Sequence, residues 1–447
     1  MRLPLLNRQF DSPIACYRGA TVGCDRFLGD VAALAAQLPG KCYVLNLCED
    51  RYHFLVGFAA ALVRHQTSLF PPSRAPKLLE EMRETYGDVY CLVDHGEYPA
   101  GMETFRYERN VNTGRSDKVP TIPEDSVAAL AFTSGSTGRP QPHQKTWGSL
   151  VAVARETVAR LGLSPLHLAA IVATVPPQHM YGLETSIMLP LQSNSMIHHE
   201  RPFFPQDIRL ALESVPALRI LVTTPVHIRA CVAENLSLPS LEFVLSATAP
   251  LSEQMASTAE AMFTTRVLEI YGCTEAGTIA TRRTVEGETW QALEGIVLRG
   301  NGEECLVDGP HLPAPVLLSD VVRNINARQF IMQGRKSDLI NIAGKRMSLT
   351  DLNHKLNEVE GVTDGVYVMP DEGDEAATRL IAFVVAPDRT NEAILSELRL
   401  RIDPVFLPRP LYRVERLPRN ETGKLSRSSL LQMLKDCDPS TDSAPDR

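Results

Sequence analysis

The stretch from Val127 to Pro140 reads VAALAFTSGSTGRP, and its reading decides the fold. An apolar run, Val127 to Phe132, passes directly into a cluster of Thr, Ser and Gly. Beyond it, Trp147, Leu150, Val151, Ala154, Val158 and Leu161 fall on one face at helical spacing. Strand, Gly-rich turn and helix in that order form the unit from which parallel α/β sheets are built. The turn itself, Thr133-Ser134-Gly135-Ser136-Thr137-Gly138-Arg139-Pro140, has a composition suited to phosphate. Its glycines let backbone amides approach an anion, and its hydroxyls add donors. It is not a Walker A loop, because no GK[ST] follows at the required spacing. Taken alone, it also fits an ordinary polar turn.

The same alternation extends in both directions. Cys42 to Cys48 reads as a short strand and Tyr52 to His65 as an Ala-rich helix. Apolar runs at Ala169 to Val175, Ile220 to Thr223 and Phe243 to Leu245 alternate with helical stretches such as Ser252 to Phe263. The expected class is α/β: a large N-terminal domain of layered, mainly parallel sheets and helices, with a smaller, mobile α+β C-terminal domain. In such sheets ligands gather beyond the carboxyl ends of the strands, which points to Thr133, Thr223, Ser246 and Tyr271. From about Lys336 the pattern changes to a helix at Leu349 to Glu358 and strands at Gly365 to Met369 and Leu380 to Val385. The expected divisions are 1–336, 337–435 and a tail, 436–447, whose Asp, Ser, Thr and Pro content predicts disorder.

A chain of 447 residues exceeds the usual reach of one core, so more than one domain is expected. Hydrophobic residues at 44% and charged residues at 22% are ordinary globular usage. A formal net charge of -8 disfavours a general nucleic-acid binder. The nine cysteines form no CxxC pair or metal-finger spacing and read as reduced thiols in the cytoplasm. Met1 to Phe10 lacks a signal peptide's apolar core, and the longest apolar run, Phe54 to Val63, is too short to span a bilayer. No membrane association is expected.

Three further motifs carry chemistry. Tyr271-Gly272-Cys273-Thr274-Glu275 follows a strand at Val267 to Ile270 and puts a carboxylate near the strand end. Such a Glu suits magnesium, which prefers one or two carboxylates plus phosphate oxygens, although a Glu there can equally be a solvated helix-starting charge. Gly334-Arg335-Lys336-Ser337-Asp338 precedes Gly344-Lys345-Arg346, and Asn420-Glu421-Thr422-Gly423-Lys424 comes last. Each could be a basic surface turn. In this order, however, the set resembles the adenylate-forming superfamily of acyl-CoA synthetases, aryl-acid ligases and peptide-synthetase adenylation domains. The resemblance covers nearly the whole chain, including Val44 to Pro71.

That resemblance implies an enzyme using ATP and Mg2+ to activate a carboxylic acid. Thr133 to Gly138 would wrap the β- and γ-phosphates, Glu275 would coordinate magnesium, and Thr274 would lie near the α-phosphate. Ala249-Pro250 and Tyr271-Gly272 resemble the segments on either side of adenine. Asp320, fourteen residues before Gly334, would accept from the ribose hydroxyls, although Leu318-Ser319 replaces the family's Thr-Gly before it. Arg335 would assist at the ribose or phosphates. Lys424 resembles the lysine that bridges the attacking carboxylate and the α-phosphate, stabilising the transition state electrostatically. Ser337 stands at the family's hinge. Where relatives often carry a lysine after the loop proline, this chain has Gln141, and the nearest lysine is Lys145.

Pro176-Pro177-Gln178-His179-Met180-Tyr181-Gly182 resembles the segment bordering the acyl pocket, with His179 at its edge; a lone histidine is otherwise a satisfied core residue. His198-His199-Glu200 reads as an exposed polar turn, lacking a further ligand at recognisable spacing. No pocket aspartate for an amino acid is found, which leaves aryl and fatty acids. The whole looks most like stand-alone ligases of aryl polyene (xanthomonadin-type) pigment pathways, which load 4-hydroxybenzoate or a similar aryl acid onto an acyl carrier protein. Between Arg399 and Arg427, eight basic residues face three acidic ones, a run usually read as a solvated surface and here suited to an acidic carrier protein. Medium- or long-chain fatty acids, CoA as acceptor, and a non-catalytic nucleotide-binding subunit are the alternatives.

Overall fold

The computed structural model describes residues 1–71, 74–96, 101–109, 114–134, 140–163, 168–216, 218–335, 339–342, 345–369, 380–420, 423 and 425–437. The chain divides into two compact units: Met1–Leu298 with Val307–Val316, and Arg299–Leu306 with Leu317–Arg447.

In the first unit, six strands form one sheet in the order Pro140–Thr146, Val127–Ser134, Thr67–Phe70, Tyr43–Asn46, Val89–Val93, Thr104–Arg106. A second sheet is parallel through Pro13–Tyr17, Met196–His198, Ala170–Ala173, Arg219–Thr223, Leu241–Ser246 and Arg266–Cys273. Gly277–Arg283 then pairs antiparallel with Arg266–Cys273. The central strands are short apolar runs because both of their faces are covered, as in AIVA at Ala170–Ala173, which is buried throughout. The α/β class expected from the sequence holds.

Helix Arg51–Val63 is apolar on every side, and Arg51 through Leu62 are all buried. It touches strands of both sheets: Tyr43–Asn46 and Thr67–Phe70 of the first, Met196–His198 of the second. The Asp50 carboxylate caps it, accepting from the amides of Tyr52 and His53 at 2.9 and 3.1 Å. Helix Trp147–Leu161 begins where strand Pro140–Thr146 ends, with Thr146 Oγ1 accepting from the Ser149 amide at 3.1 Å. Gly162, at φ +67°, closes it in the left-handed region that a side chain disfavours. Helix Glu253–Phe263 starts at the Ser252 cap, within a residue of the sequence reading.

The second unit contains the hairpin Asp320–Asn326/Gln329–Arg335, ahead of the division expected near residue 336. Its small sheet pairs Asp364–Val368 antiparallel with Ile381–Val385, and the latter parallel with Leu411–Arg413. Helices Leu349–Asn357 and Asn391–Arg401 close a core built from Leu352, Leu356, Tyr367, Val384, Ile394 and Leu398. Ser348 and Thr390 cap the two helices. The last helix runs Arg427–Cys437, so Asp436 and Cys437 end it, and the remainder of the expected tail lies outside the described residues.

Candidate active site

The carboxyl ends of the parallel strands meet in a network of buried polar groups. Thr174 and Thr223 share a hydroxyl–hydroxyl bond of 2.9 Å, and Thr224 Oγ1 lies 3.0 Å from His227 Nδ1. Burial lowers the His227 ring to about 4, keeping it neutral. The Ser246 hydroxyl is buried without a hydrogen-bond partner among the described residues. One turn further, Thr248 has φ +81°, an unfavourable conformation for a β-branched residue, directly before Ala249 and the exposed Pro250.

The Pro176–Gly182 segment is pinned from three directions. The fully buried Arg51 guanidinium donates to the carbonyls of Ala173 and Val175 at 2.8 and 2.7 Å and to Ser186 Oγ at 2.5 Å. Burial brings that guanidinium down to about 9. The Tyr181 hydroxyl donates to the carbonyls of Leu245 and Thr223, at 2.7 and 3.2 Å, joining two strand ends. A Cβ at position 182 would lie 2.0 Å from the Pro176 carbonyl oxygen, so only Gly182 permits this fold-back. His179, half-buried, precedes the short helix Met180–Leu183, and its backbone carbonyl accepts from the Leu183 amide at 2.8 Å.

Thr274, Glu275 and Ala276 form the turn between Arg266–Cys273 and Gly277–Arg283. The backbones approach so closely here that a Cβ at Gly272 would sit 2.4 Å from the Gly277 carbonyl oxygen. The turn is held by side chains remote in sequence. Lys145 Nζ donates to the Glu275 carbonyl at 2.7 Å, and His311 Nε2 lies 3.2 Å from the Ala276 carbonyl. Glu184 Oε2 accepts from the Thr278 amide at 2.9 Å and its hydroxyl at 2.6 Å. Gly277, at φ +76°, leaves room for the same carboxylate, since a Cβ there would lie 2.4 Å from Glu184 Oε1.

The Glu275 carboxylate is 37% exposed and lies 3.8 Å from His143 Nε2, which is 3.0 Å from Thr133 Oγ1. The start of the Gly-rich loop and the Glu275 turn are therefore brought together. Local pairing explains the arrangement. On strand Pro140–Thr146, Gln141, His143 and Lys145 share a face with their partners Thr133, Ala131 and Ala129. The two alanines leave space for the imidazole and the lysine chain.

Burial dominates the electrostatics of the side chains behind the turn. Burial lowers the Lys145 ammonium, opposed by the field of Glu184, and burial raises the Glu184 carboxyl, opposed by Thr278 and Lys145. Burial, with Glu275 nearby, pushes the Cys273 thiol up to about 12, which leaves it inert as a nucleophile at neutral pH.

Residues 37–310, more than half of the chain, match the AMP-binding enzyme family. The chain belongs to that family. The enzyme class expected from the motifs, an adenylate-forming acid–thiol ligase, holds. Among curated relatives, a 4-coumarate–CoA ligase of Rhodobacter capsulatus is 26% identical over 62% of this chain and 68% of its own length. A 2-succinylbenzoate–CoA ligase of Listeria monocytogenes is 26% identical over 91% of this chain and 94% of its own. The same fold occurs in ATP-bound MatB of Rhodopseudomonas palustris, with TM-score 0.81, 17% identity and 96% of both chains covered. It also occurs in o-succinylbenzoate CoA synthetase of Bacillus subtilis with its acyl-adenylate, with TM-score 0.77, 18% identity and 94% and 95% covered.

Ser134 pairs through its backbone with Pro140, while Gly135, Ser136, Thr137 and Gly138 lie outside the described residues. Tyr271 is buried, its ring tilted against Trp290 at 5.7 Å. In the second unit, Asp320 is buried and its backbone pairs with Arg335. Lys424 and the hinge position Ser337 lie outside the described residues. The residue before Lys424 is nonetheless anchored: Arg419 grips Asp364 at 2.6 and 2.7 Å and donates to the Gly423 carbonyl at 2.8 Å.

One expectation is corrected. His198 and His199 are buried, 4% and 7% exposed, and only Glu200 faces solvent. The reason is topological: Met196–His198 is an inner strand, flanked by Ala170–Ala173 and Pro13–Tyr17. His199 Nδ1 lies 2.7 Å from Asp50 Oδ2, and burial with the His199 and Arg51 fields lowers His198 to about 4. The ligand atoms of the three side chains lie within 4.8 Å of one another, and His199 Nδ1 is already engaged by Asp50. The sequence reading missed His143, Glu184 and His311 and found no role for Lys145. The one available signal was the alternation Gln141, His143, Lys145 opposite Thr133, Ala131, Ala129.

Proposed function

We propose that this enzyme activates an aryl carboxylic acid, 4-hydroxybenzoate or a close relative, as its acyl-adenylate and passes the acyl group to the phosphopantetheine thiol of an acyl carrier protein. The reading makes it a cytoplasmic enzyme of aryl polyene pigment synthesis. The observation that carries the first half-reaction is the Thr133–His143–Glu275 constellation, which sets a carboxylate beside the mouth of a Gly-rich loop. Glu275 offers a hard, partly solvated oxygen, and this fits Mg2+, which keeps several waters and binds through few carboxylates plus substrate phosphates. Bound there, magnesium would neutralise charge on the phosphate oxygens.

In the adenylation step a carboxylate oxygen of the acid attacks the α-phosphorus of ATP and pyrophosphate leaves. Loop amides and hydroxyls from Thr133 to Gly138 hold the departing phosphates, and Thr274 lies by the α-phosphate. Ala249-Pro250 and Tyr271-Gly272 take the adenine, while Asp320 and Arg335 take the ribose. Lys424 stabilises the charge that accumulates between carboxylate and phosphorus. His179 borders the acid. In the second step the thiolate attacks the acyl carbonyl and AMP leaves, after rotation about Ser337 between a lid of 337–435 and the rest.

An aryl acid is supported by the curated relatives, several of which are CoA ligases named for aromatic acids. The carrier protein is supported by the basic run, in which Arg399, Arg409, Arg413 and Arg416 are exposed. CoA is the second reading for the acceptor, favoured by the same relatives' names. The test is substrate-dependent pyrophosphate release with ATP and Mg2+ across hydroxybenzoates, cinnamates and fatty acids, followed by loading of holo-carrier protein against CoA. An aryl acid should win, and Arg413→Glu with Arg416→Glu should slow carrier loading in a salt-sensitive way while pyrophosphate release persists. A fatty-acid winner would overturn the substrate, and equal, charge-indifferent use of CoA would overturn the carrier.

A further inference from the structure

We propose that Lys145 is a positioning residue for the metal-binding turn, acting with Glu184 to present the Glu275 carboxylate to Mg2+ in a fixed orientation. This rests on the reading of Glu275 as the magnesium ligand. Lys145 is 5% exposed, and its ammonium reaches the backbone of Glu275, not the carboxylate. A direct ion pair would compete with the metal for the same oxygens; a bond to the carbonyl leaves them available. On the far side of the turn, Glu184 fixes Thr278 through both its amide and its hydroxyl. The hairpin runs close to that carboxylate, since a Cβ added at Gly277 would lie 2.4 Å from Glu184 Oε1. His311 holds the intervening Ala276 carbonyl. Three residues at and beyond the ligand, Glu275, Ala276 and Thr278, thus each have a hydrogen bond with a buried polar side chain, and Lys145 supplies the one at the ligand itself.

Groups that orient a metal ligand are commonly worth about ten- to hundred-fold in metal affinity. The experiment is calorimetric titration of the full chain with ATP, with and without Mg2+, using wild type, Lys145→Met, Lys145→Arg and Glu275→Gln. The readout is the gain in ATP affinity that magnesium confers, taken as a ratio within each variant so that a loss of folded protein cancels. Glu275→Gln should lose the gain. Lys145→Met should reduce it by about tenfold or more while ATP binding without magnesium is unchanged, and Lys145→Arg should recover part of it. Should Lys145→Met fold poorly, the double variant Lys145→Met/Glu184→Met removes both buried charges and should show the same lost gain.

If Lys145→Met weakens ATP binding equally without magnesium, the lysine contacts phosphate and positioning is refuted. If Glu275→Gln loses the gain and Lys145→Met keeps it, the inference falls while the role of Glu275 stands. If Glu275→Gln keeps it, that role falls and the inference with it.

Discussion

Lys145 and Glu184 should behave as one unit in stability as well as in ligand binding. Replacing Glu184 by Met removes the carboxylate whose field most favours the buried Lys145 ammonium and takes the one acceptor oxygen from both Thr278 donors. Removing one partner of a buried pair commonly costs about 3–5 kcal/mol, because the survivor is left uncompensated. Lys145→Met leaves Glu184 in the mirror condition and should cost a similar amount. The double variant leaves no buried charge, and its residual cost is the unbonded Thr278 amide, about 1–3 kcal/mol. The cycle therefore predicts a coupling of several kcal/mol. The assay is thermal unfolding followed by tryptophan fluorescence. The chain has two tryptophans, Trp147 and Trp290, both in the first unit, so the signal reports only the unit that holds the pair. At roughly 2–4 °C per kcal/mol, each single variant should melt on the order of 10 °C lower and the double should regain about half of that or more. A double variant as unstable as the sum of the singles would refute the pairing.

Three other outcomes are expected. Gly272→Ala drives a Cβ into the Gly277 carbonyl, a backbone atom that cannot swing away, and should cut pyrophosphate release by about tenfold or more through displacement of the Glu275 turn, with little change in melting of the second unit. His198 and His227 are both brought to about 4, so between about pH 4 and 6.5 the unfolded chain binds more protons at these sites. Stability should consequently fall as pH drops through that window, by about 3 kcal/mol per ring once below it, and His227→Gln should flatten the melting profile. Lys424→Ala should abolish acyl-adenylate formation but leave thiolation of supplied acyl-adenylate largely intact; loss of both half-reactions would contradict its assignment.

The fold was legible because its strands announce themselves as short apolar runs. Ala170–Ala173 and Arg219–Thr223 lie inside or within a residue of the expected segments, and Ser252 and Ser348 mark helix starts as capping chemistry requires. The motif order carried the family. The supports of the site were not legible, and the reason is physical. Lys145 and Glu275 are 130 positions apart, Glu184 and Thr278 are 94 apart, and no local pattern encodes such contacts. A polar strand such as Pro140–Thr146 reads as a loop until its partner is known, and Glu184 reads as a surface charge until burial encloses it. The two histidines at 198 and 199 were misread for the same reason, since strand order decides whether a strand end is covered.

Strand Pro140–Thr146, whose polar side chains serve the site, is also the outer strand of its sheet. An outer strand is a hazard, because its free amides and carbonyls can template pairing with another molecule. This one carries two prolines, Pro140 and Pro142, which have no amide hydrogen to offer. The enzyme can thus keep a polar rim beside the Gly-rich loop without inviting strand-by-strand aggregation. Replacing those prolines would be expected to damage colloidal behaviour before it damaged chemistry.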